Sequence, residues 1–270
     1  MIERTERPIG IYDSGIGGMT VAHAIAKRLP NENVIYFGDT AHLPYGDKSE
    51  AAIQAYSVKI ADVLLKLGCK VIVIACNSAS SAAYELLKEY VRKDAHIINV
   101  IDPMIDHLTN VNKKMHVGLI GTRRTVDSDV YAAKLKRTGR QIILKSVATP
   151  LLAPMIEEGF FNNQISHDII EQYLSANELQ GIESLILACT HYPIIKREIS
   201  AYYNGKVEIL DSSEIVANAL ESYLREHSLL NAKLPTIKRF LVSDFTPSFE
   251  ASTKLFFGQL VQLEQHRLWN

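Results

Sequence analysis

Short apolar runs alternate with amphipathic stretches along the whole chain. Residues 8–12, 33–38, 70–75 and 97–101 read as buried strands, because each is a strand-length apolar run bounded by turn signals. Between them, 17–29, 49–67 and 78–91 carry helical spacing, and Val21, Ala22, Ile25 and Leu29 share one helix face. Pro103 marks a break. Strands at 116–121 and 141–147 then flank a helix at 124–136, and the stretch 148–154 reads as loop. A short helix at 155–158 and another at 166–175 precede strands at 184–188 and 207–210. A helix at 213–225, a strand at 236–243 and a helix at 247–257 complete the pattern. Repeated βα order predicts an α/β fold, with parallel strands covered by helices on both faces.

The two halves resemble each other. Ile9-Gly10-Ile11-Tyr12-Asp13-Ser14 is echoed by Val117-Gly118-Leu119-Ile120-Gly121-Thr122. A later strand in each half ends in cysteine: Cys76 lies 63 positions after Asp13 (76 − 13), and Cys189 lies 68 after Gly121 (189 − 121). Such paired offsets predict two similar βα domains related by a pseudo-twofold, 1–102 with 213–270 and 103–212. Both thiols would then face the cleft between the domains, where small-molecule sites concentrate.

Composition narrows the partners. The chain has 270 residues, 47% of them hydrophobic, and a formal net charge of −1. That is enough for one large or two medium cores. No basic stripe with interleaved aromatics is present, so nucleic acid is not an expected partner. The charged N-terminus lacks a signal-peptide core, and no apolar run is long enough to span a bilayer, so a cytoplasmic location is expected. Three cysteines do not make a disulfide framework. Cys189 and His191 could enter a zinc site, but no fourth ligand is evident and no metal is expected.

The motifs allow several chemistries. Asp13-Ser14-Gly15-Ile16-Gly17-Gly18 is a strand-to-helix turn whose glycines would let the backbone approach an anion or a carboxylate. A dinucleotide fingerprint, with Asp39 as the ribose acid, fails because Thr20 stands where the third glycine belongs. A bare tight turn remains open. Pro44-Tyr45-Gly46 is a connector or a binding loop, and Ser49 a candidate N-cap. Cys69, after Gly68, reads as an inert core thiol. Cys76 and Cys189 instead end strands and precede helix starts, where thiolates are favoured. A free thiol with pKa near 8.5 costs only about 2 kcal/mol to ionise at pH 7. Asp13 could serve one thiol, and His191 the other if the chain turns after Cys189, as Pro193 suggests. Glu157 and Glu158 follow a proline-bounded loop; such pairs usually face solvent, though the first could turn inward.

The ordered set Asp13-Ser14-Gly15-Ile16-Gly17-Gly18, Pro44-Tyr45-Gly46, Ala75-Cys76-Asn77-Ser78-Ala79-Ser80 and Cys189-Thr190-His191-Tyr192-Pro193 resembles the glutamate racemases of the aspartate/glutamate racemase superfamily. Ser78 departs from the family's usual threonine but keeps the hydroxyl. The resemblance implies two α/β domains enclosing the substrate, and a cofactor-independent racemase that supplies D-glutamate for peptidoglycan. It implies that Cys76 takes the α-proton of D-glutamate and Cys189 that of L-glutamate, assisted by Asp13 and His191, with Glu157 a further acidic position. It implies that Ser14, Tyr45, Gly46, Asn77, Ser78, Thr122 and Thr190 hold the carboxylates and ammonium, with Asp13, Pro44 and His191 beside them. It also implies a homodimer. Racemisation of another acidic amino acid such as aspartate fits the thiols as well. A one-cysteine decarboxylase, a cysteine hydrolase using Cys189 and His191, and a non-catalytic binding module are the remaining rivals.

Overall fold

A computed structural model of the protein describes residues 3–110, 115–234 and 236–269. The first lobe opens with β1 (Ile9–Asp13), α1 (Met19–Arg28), β2 (Val34–Gly38), α2 (Glu50–Lys66), β3 (Val71–Ile74), α3 (Asn77–Val91) and β4 (His96–Asn99). The chain leaves it through α4 (Ile101–Thr109). The second lobe contains β5 (Met115–Gly121), α5 (Arg123–Asp127), α6 (Val130–Arg137), β6 (Ile142–Ala148), α7 (Leu152–Glu157) and α8 (Gln164–Leu174). It continues through β7 (Ser184–Ala188), α9 (Lys196–Tyr202) and β8 (Glu208–Asp211). The chain returns along α10 (Ser212–Glu226), which packs on α1, and ends with β9 (Lys238–Val242), α11 (Pro247–Phe257) and β10 (Leu263–Gln265).

Two wholly parallel sheets result, ordered β10-β9-β2-β1-β3-β4 and β6-β5-β7-β8. The core of the first, β2-β1-β3-β4, has the same order as the whole of the second. The central strands β1 and β3 are buried along their entire length, as is β7, which explains why they read as continuous apolar runs rather than alternating ones. Tyr12 pairs with Ile74, and Gly121 with Ala188. Cys76 and Cys189 therefore leave equivalent strands at the carboxyl edges of their sheets, the position where parallel sheets place ligands. Among the described residues, no helix is long and apolar enough to cross a membrane.

Several expected elements are corrected. Strand 97–101 ends at Asn99, and Pro103 does not break the chain but sits in the first turn of α4. A proline is tolerated there because its missing N–H would have no helical partner. The same reason lets Pro154 sit inside α7, so of the stretch 148–154 only 149–151 is loop between β6 and α7. The helix expected over 124–136 is two helices, parted where Asp129 takes a left-handed φ of 53°. Helix α9 and strand β10 had no distinct sequence signal.

Candidate active site

A cavity of about 260 Å³ lies between the carboxyl edges of the two sheets. Every residue that the resemblance assigns to the site lines it except Asp13. The first lobe contributes Ser14, Cys76, Asn77, Ser78 and the loop Pro44-Tyr45-Gly46, and the second contributes Thr122, Glu157, Cys189, Thr190 and His191. All three cysteines are free. Cys76 and Cys189 are almost equally buried, at 6% and 7% exposure. Cys69 lies apart in the first lobe's apolar core, as expected of an inert thiol.

Cys76 is the N-cap of α3. Its sulfur accepts the Ala79 N–H at 3.4 Å and donates to Ser14 Oγ at 3.7 Å. Burial and the nearby Asp13 carboxylate push this thiol up to about 12, and Cys189 adds to the shift, against the opposing Ala79 and Ser14 contacts. Cys76 is thus a thiol, not a thiolate, at neutral pH.

Cys189 has a different neighbour. The chain turns after it into a short 3-10 helix, Tyr192–Ile195, with Pro193 in its first turn. That turn brings His191 Nδ1 to 3.6 Å from the Cys189 sulfur, and His191 Nε2 lies 2.8 Å from Glu157 Oε1. Burial works against charge on the ring. The Cys189 sulfur and the Glu157 carboxylate outweigh it and hold His191 up to about 10. The ring is an imidazolium at neutral pH, donating to the sulfur on one side and to Glu157 on the other. Glu157, for which the sequence left an inward turn open, lines the cavity.

Asp13 stands further back than the others. It is fully buried behind the cavity wall, while the other residues assigned to the site line the cavity. Its carboxylate accepts Gly15 N–H at 3.0 Å and Thr190 Oγ1 at 3.3 Å. Burial raises it above the usual carboxylate range, opposed by His191, the Gly15 and Gly18 N–H groups and Thr190. The carboxyl group at this helix start is therefore the protein's own. The glycines are spent on close packing: a Cβ on Gly17 would sit 2.3 Å from His191 Cε1, and one on Gly18 2.4 Å from Asp13 Cβ. Asp39, the rejected ribose acid, is buried and bonded to Tyr45 Oη at 2.6 Å, Ser243 Oγ at 2.7 Å and His42 Nδ1 at 2.8 Å. The Tyr45 hydroxyl is thus anchored to Asp39.

Other contacts join the lobes. Ser78 Oγ and Thr122 Oγ1 are 2.9 Å apart. At the mouth, Arg123 Nη1 lies 3.4 Å from Asp47 Oδ1, and both line the cavity. Sequence reasoning missed this pair, although each directly follows a residue it had singled out. No group of three or more His, Cys, Asp or Glu suited to a metal ion occurs among the described residues.

The site can hold an anion among hydroxyl, amide and backbone donors while two sulfurs reach it from different lobes. The family model for Asp/Glu/hydantoin racemases matches residues 19–220. A glutamate racemase of Chlorobaculum parvum is 36% identical over 93% of this chain and 92% of its own. One from Geobacter metallireducens is 38% identical over 93% of each chain. The crystal structure of a Francisella tularensis glutamate racemase in complex with D-glutamate matches with TM-score 0.92 and 37% identity, over 98% of this chain and 99% of that one. The chain belongs to the Asp/Glu/hydantoin racemase family and, within it, is a relative of the glutamate racemases.

Proposed function

We propose that the protein interconverts L- and D-glutamate without a cofactor, using Cys76 and Cys189 as paired acid and base. The observation that carries this reading is the delivery of two thiols to one cavity by equivalent strands of two lobes. The lobes would be 1–102 with 213–270 and 103–212, with substrate between them.

The α-hydrogen of an amino acid is a very weak acid, so charge must be stabilised as it forms. Ser14, Asn77, Ser78, Thr122 and Thr190 line the cavity with polar groups suited to a carboxylate. Starting from L-glutamate, the Cys189 sulfur, as thiolate beside the His191 imidazolium, takes the α-proton. The bonding pair passes onto the α-carbon and its carboxylate. The Cys76 thiol then gives its own proton to the opposite face, leaving D-glutamate, a Cys189 thiol and a Cys76 thiolate. The reverse turnover, or proton exchange with water, restores the starting state. Asp13 acts from behind the wall, through Thr190 and through its field on Cys76. The two sulfurs have different neighbours, His191 beside Cys189 and the Asp13 carboxyl near Cys76, and a two-base scheme requires the two to differ in protonation. The product would serve peptidoglycan synthesis in the cytoplasm, and the protein would work as a homodimer with no nucleic-acid or membrane partner.

The test is incubation with L-glutamate in deuterated water without added cofactor, followed by circular dichroism and proton NMR. Optical activity should vanish while deuterium enters the α-position, and aspartate should exchange far more slowly. C76A and C189A should each abolish racemisation. Full turnover by either variant would defeat the scheme.

A further inference from the structure

Asn77 leaves half of its hydrogen-bonding capacity unused. It is the first residue of α3, 2% exposed, and lines the cavity. Its carboxamide nitrogen Nδ2 is buried and has no protein partner. Buried polar groups are rarely left unpaired, and an orphaned donor beside a cavity indicates a ligand acceptor. The other end of the amide is occupied. Tyr131, on α6 of the opposite lobe, donates its hydroxyl to Asn77 Oδ1 at 2.7 Å, and both groups are buried.

We propose that Tyr131 is a positioning residue: it holds the Asn77 carboxamide with Nδ2 turned into the cavity, ready to donate to a substrate carboxylate. The inference rests on the proposed function, since it requires an anionic substrate at this site. The direction of the bond follows from chemistry. Burial raises the Tyr131 phenol, so it keeps its proton and is a donor. A flipped amide would set Nδ2 against the phenol oxygen and point a carbonyl oxygen at an incoming carboxylate. Without the hydroxyl, the two amide orientations compete, and the wrong one repels the substrate. Because Tyr131 comes from the other lobe, the donor is fixed only when the lobes are together. Ser78 and Thr122 bridge the same seam at 2.9 Å, so two neighbouring residues at the start of α3 are set by the second lobe.

The test measures D-glutamate binding by calorimetry alongside steady-state kinetics, on Y131F, N77A, N77D and the double variant Y131F/N77A. Y131F keeps the ring and removes one hydroxyl. It should weaken Kd and raise KM by about three- to tenfold, the worth of one hydrogen bond, with kcat changed by less than about twofold. The double variant should bind no more weakly than N77A alone, because Tyr131 acts through the amide. N77D can still accept from Tyr131 but offers no donor, so it should bind as poorly as N77A. Unchanged Kd in Y131F, or the same loss from Y131F in the presence and absence of Asn77, overturns the inference. Wild-type protein that binds and racemises glutamate beside an unaffected Y131F sinks only this inference. Wild-type protein that binds no glutamate sinks it together with the proposed function.

Discussion

A cysteine is a generic residue until its neighbours are fixed, and here the neighbours of two differ. Cys76 faces a helix N–H, a serine and a buried carboxylate; Cys189 faces an imidazolium. Sequence placed both thiols at strand ends and placed His191 near Cys189. It could not show that Asp13 stands behind the wall, because that depends on how α1 packs. Gly17 offers a direct test of how tightly His191 is held. G17A would drive a methyl into a ring held by Cys189, Glu157 and the edge of Phe256. Since misplacing a reacting group by about 1 Å can cost about 100-fold, kcat/KM should fall by roughly that factor. A wild-type rate would show that the ring has room to spare.

The His191 proton also links the site to stability. The ring is raised from 6.5 to about 10 in the folded protein, so the fold binds this proton more tightly than the unfolded chain. Its contribution is fully present below about pH 6.5 and is lost as pH rises toward about 10. E157Q removes one support of the charge, so its stability should fall less between pH 7 and 8.5 than that of the wild type. Urea unfolding at the two pH values reads this directly, and equal slopes would contradict the assignment.

At the scale of elements, sequence and structure agree where the signal is local. Strand β7 was predicted at its observed bounds, as was helix α11, which starts with a proline and ends at a glycine with φ of 82°. Ser49 caps α2 as expected, its hydroxyl accepting the Ala52 N–H at 3.3 Å. Two of the failures, at Pro103 and Pro154, share a cause. Proline was read as a stop, yet it fits a first helical turn, and only the surrounding backbone distinguishes the two. Lys70 is a case where the element is legible but its anchor is not. It reads as the polar start of a strand, yet its ammonium is buried against Glu32 at 2.6 Å and donates to the Thr5 and Leu229 carbonyls. Glu32 in turn accepts the Asn231 N–H at 2.8 Å. The pair thus ties the N-terminus and the segment after α10 to the first sheet. K70M leaves a buried carboxylate without its cation, a change that costs about 3–5 kcal/mol. Urea unfolding should show that loss, while kcat at low temperature stays near wild type because the pair lies outside the cavity. A stability change below about 1 kcal/mol would mean that the pair contributes no more than a surface one.

For the molecule as a whole, the cavity has walls from both lobes, so a ligand that fills it bridges them. Glutamate should therefore stabilise the fold by mass action. At 100 times Kd the gain is about 2.7 kcal/mol, or roughly 5 °C in Tm for a chain of this size. Scanning calorimetry on C76A and C189A should show the shift without turnover, separating binding from chemistry. No shift in either variant would mean that the thiols are needed for binding itself. The exposed Arg123–Asp47 pair at the mouth adds little, since both side chains are more than half exposed and such pairs are screened by solvent.

The sequence by itself determined the alternation of strand and helix, the internal duplication and the placing of two cysteines at strand ends. Those properties are encoded by residues close along the chain: apolar runs, turn signals and motifs of about six positions. Only the tertiary structure decided that Glu157 reaches His191, that Asp13 is hidden, and that Tyr131 holds Asn77 across the lobes. These contacts join residues far apart in the chain, and their geometry is set by how two sheets and their helices pack, which no local pattern records.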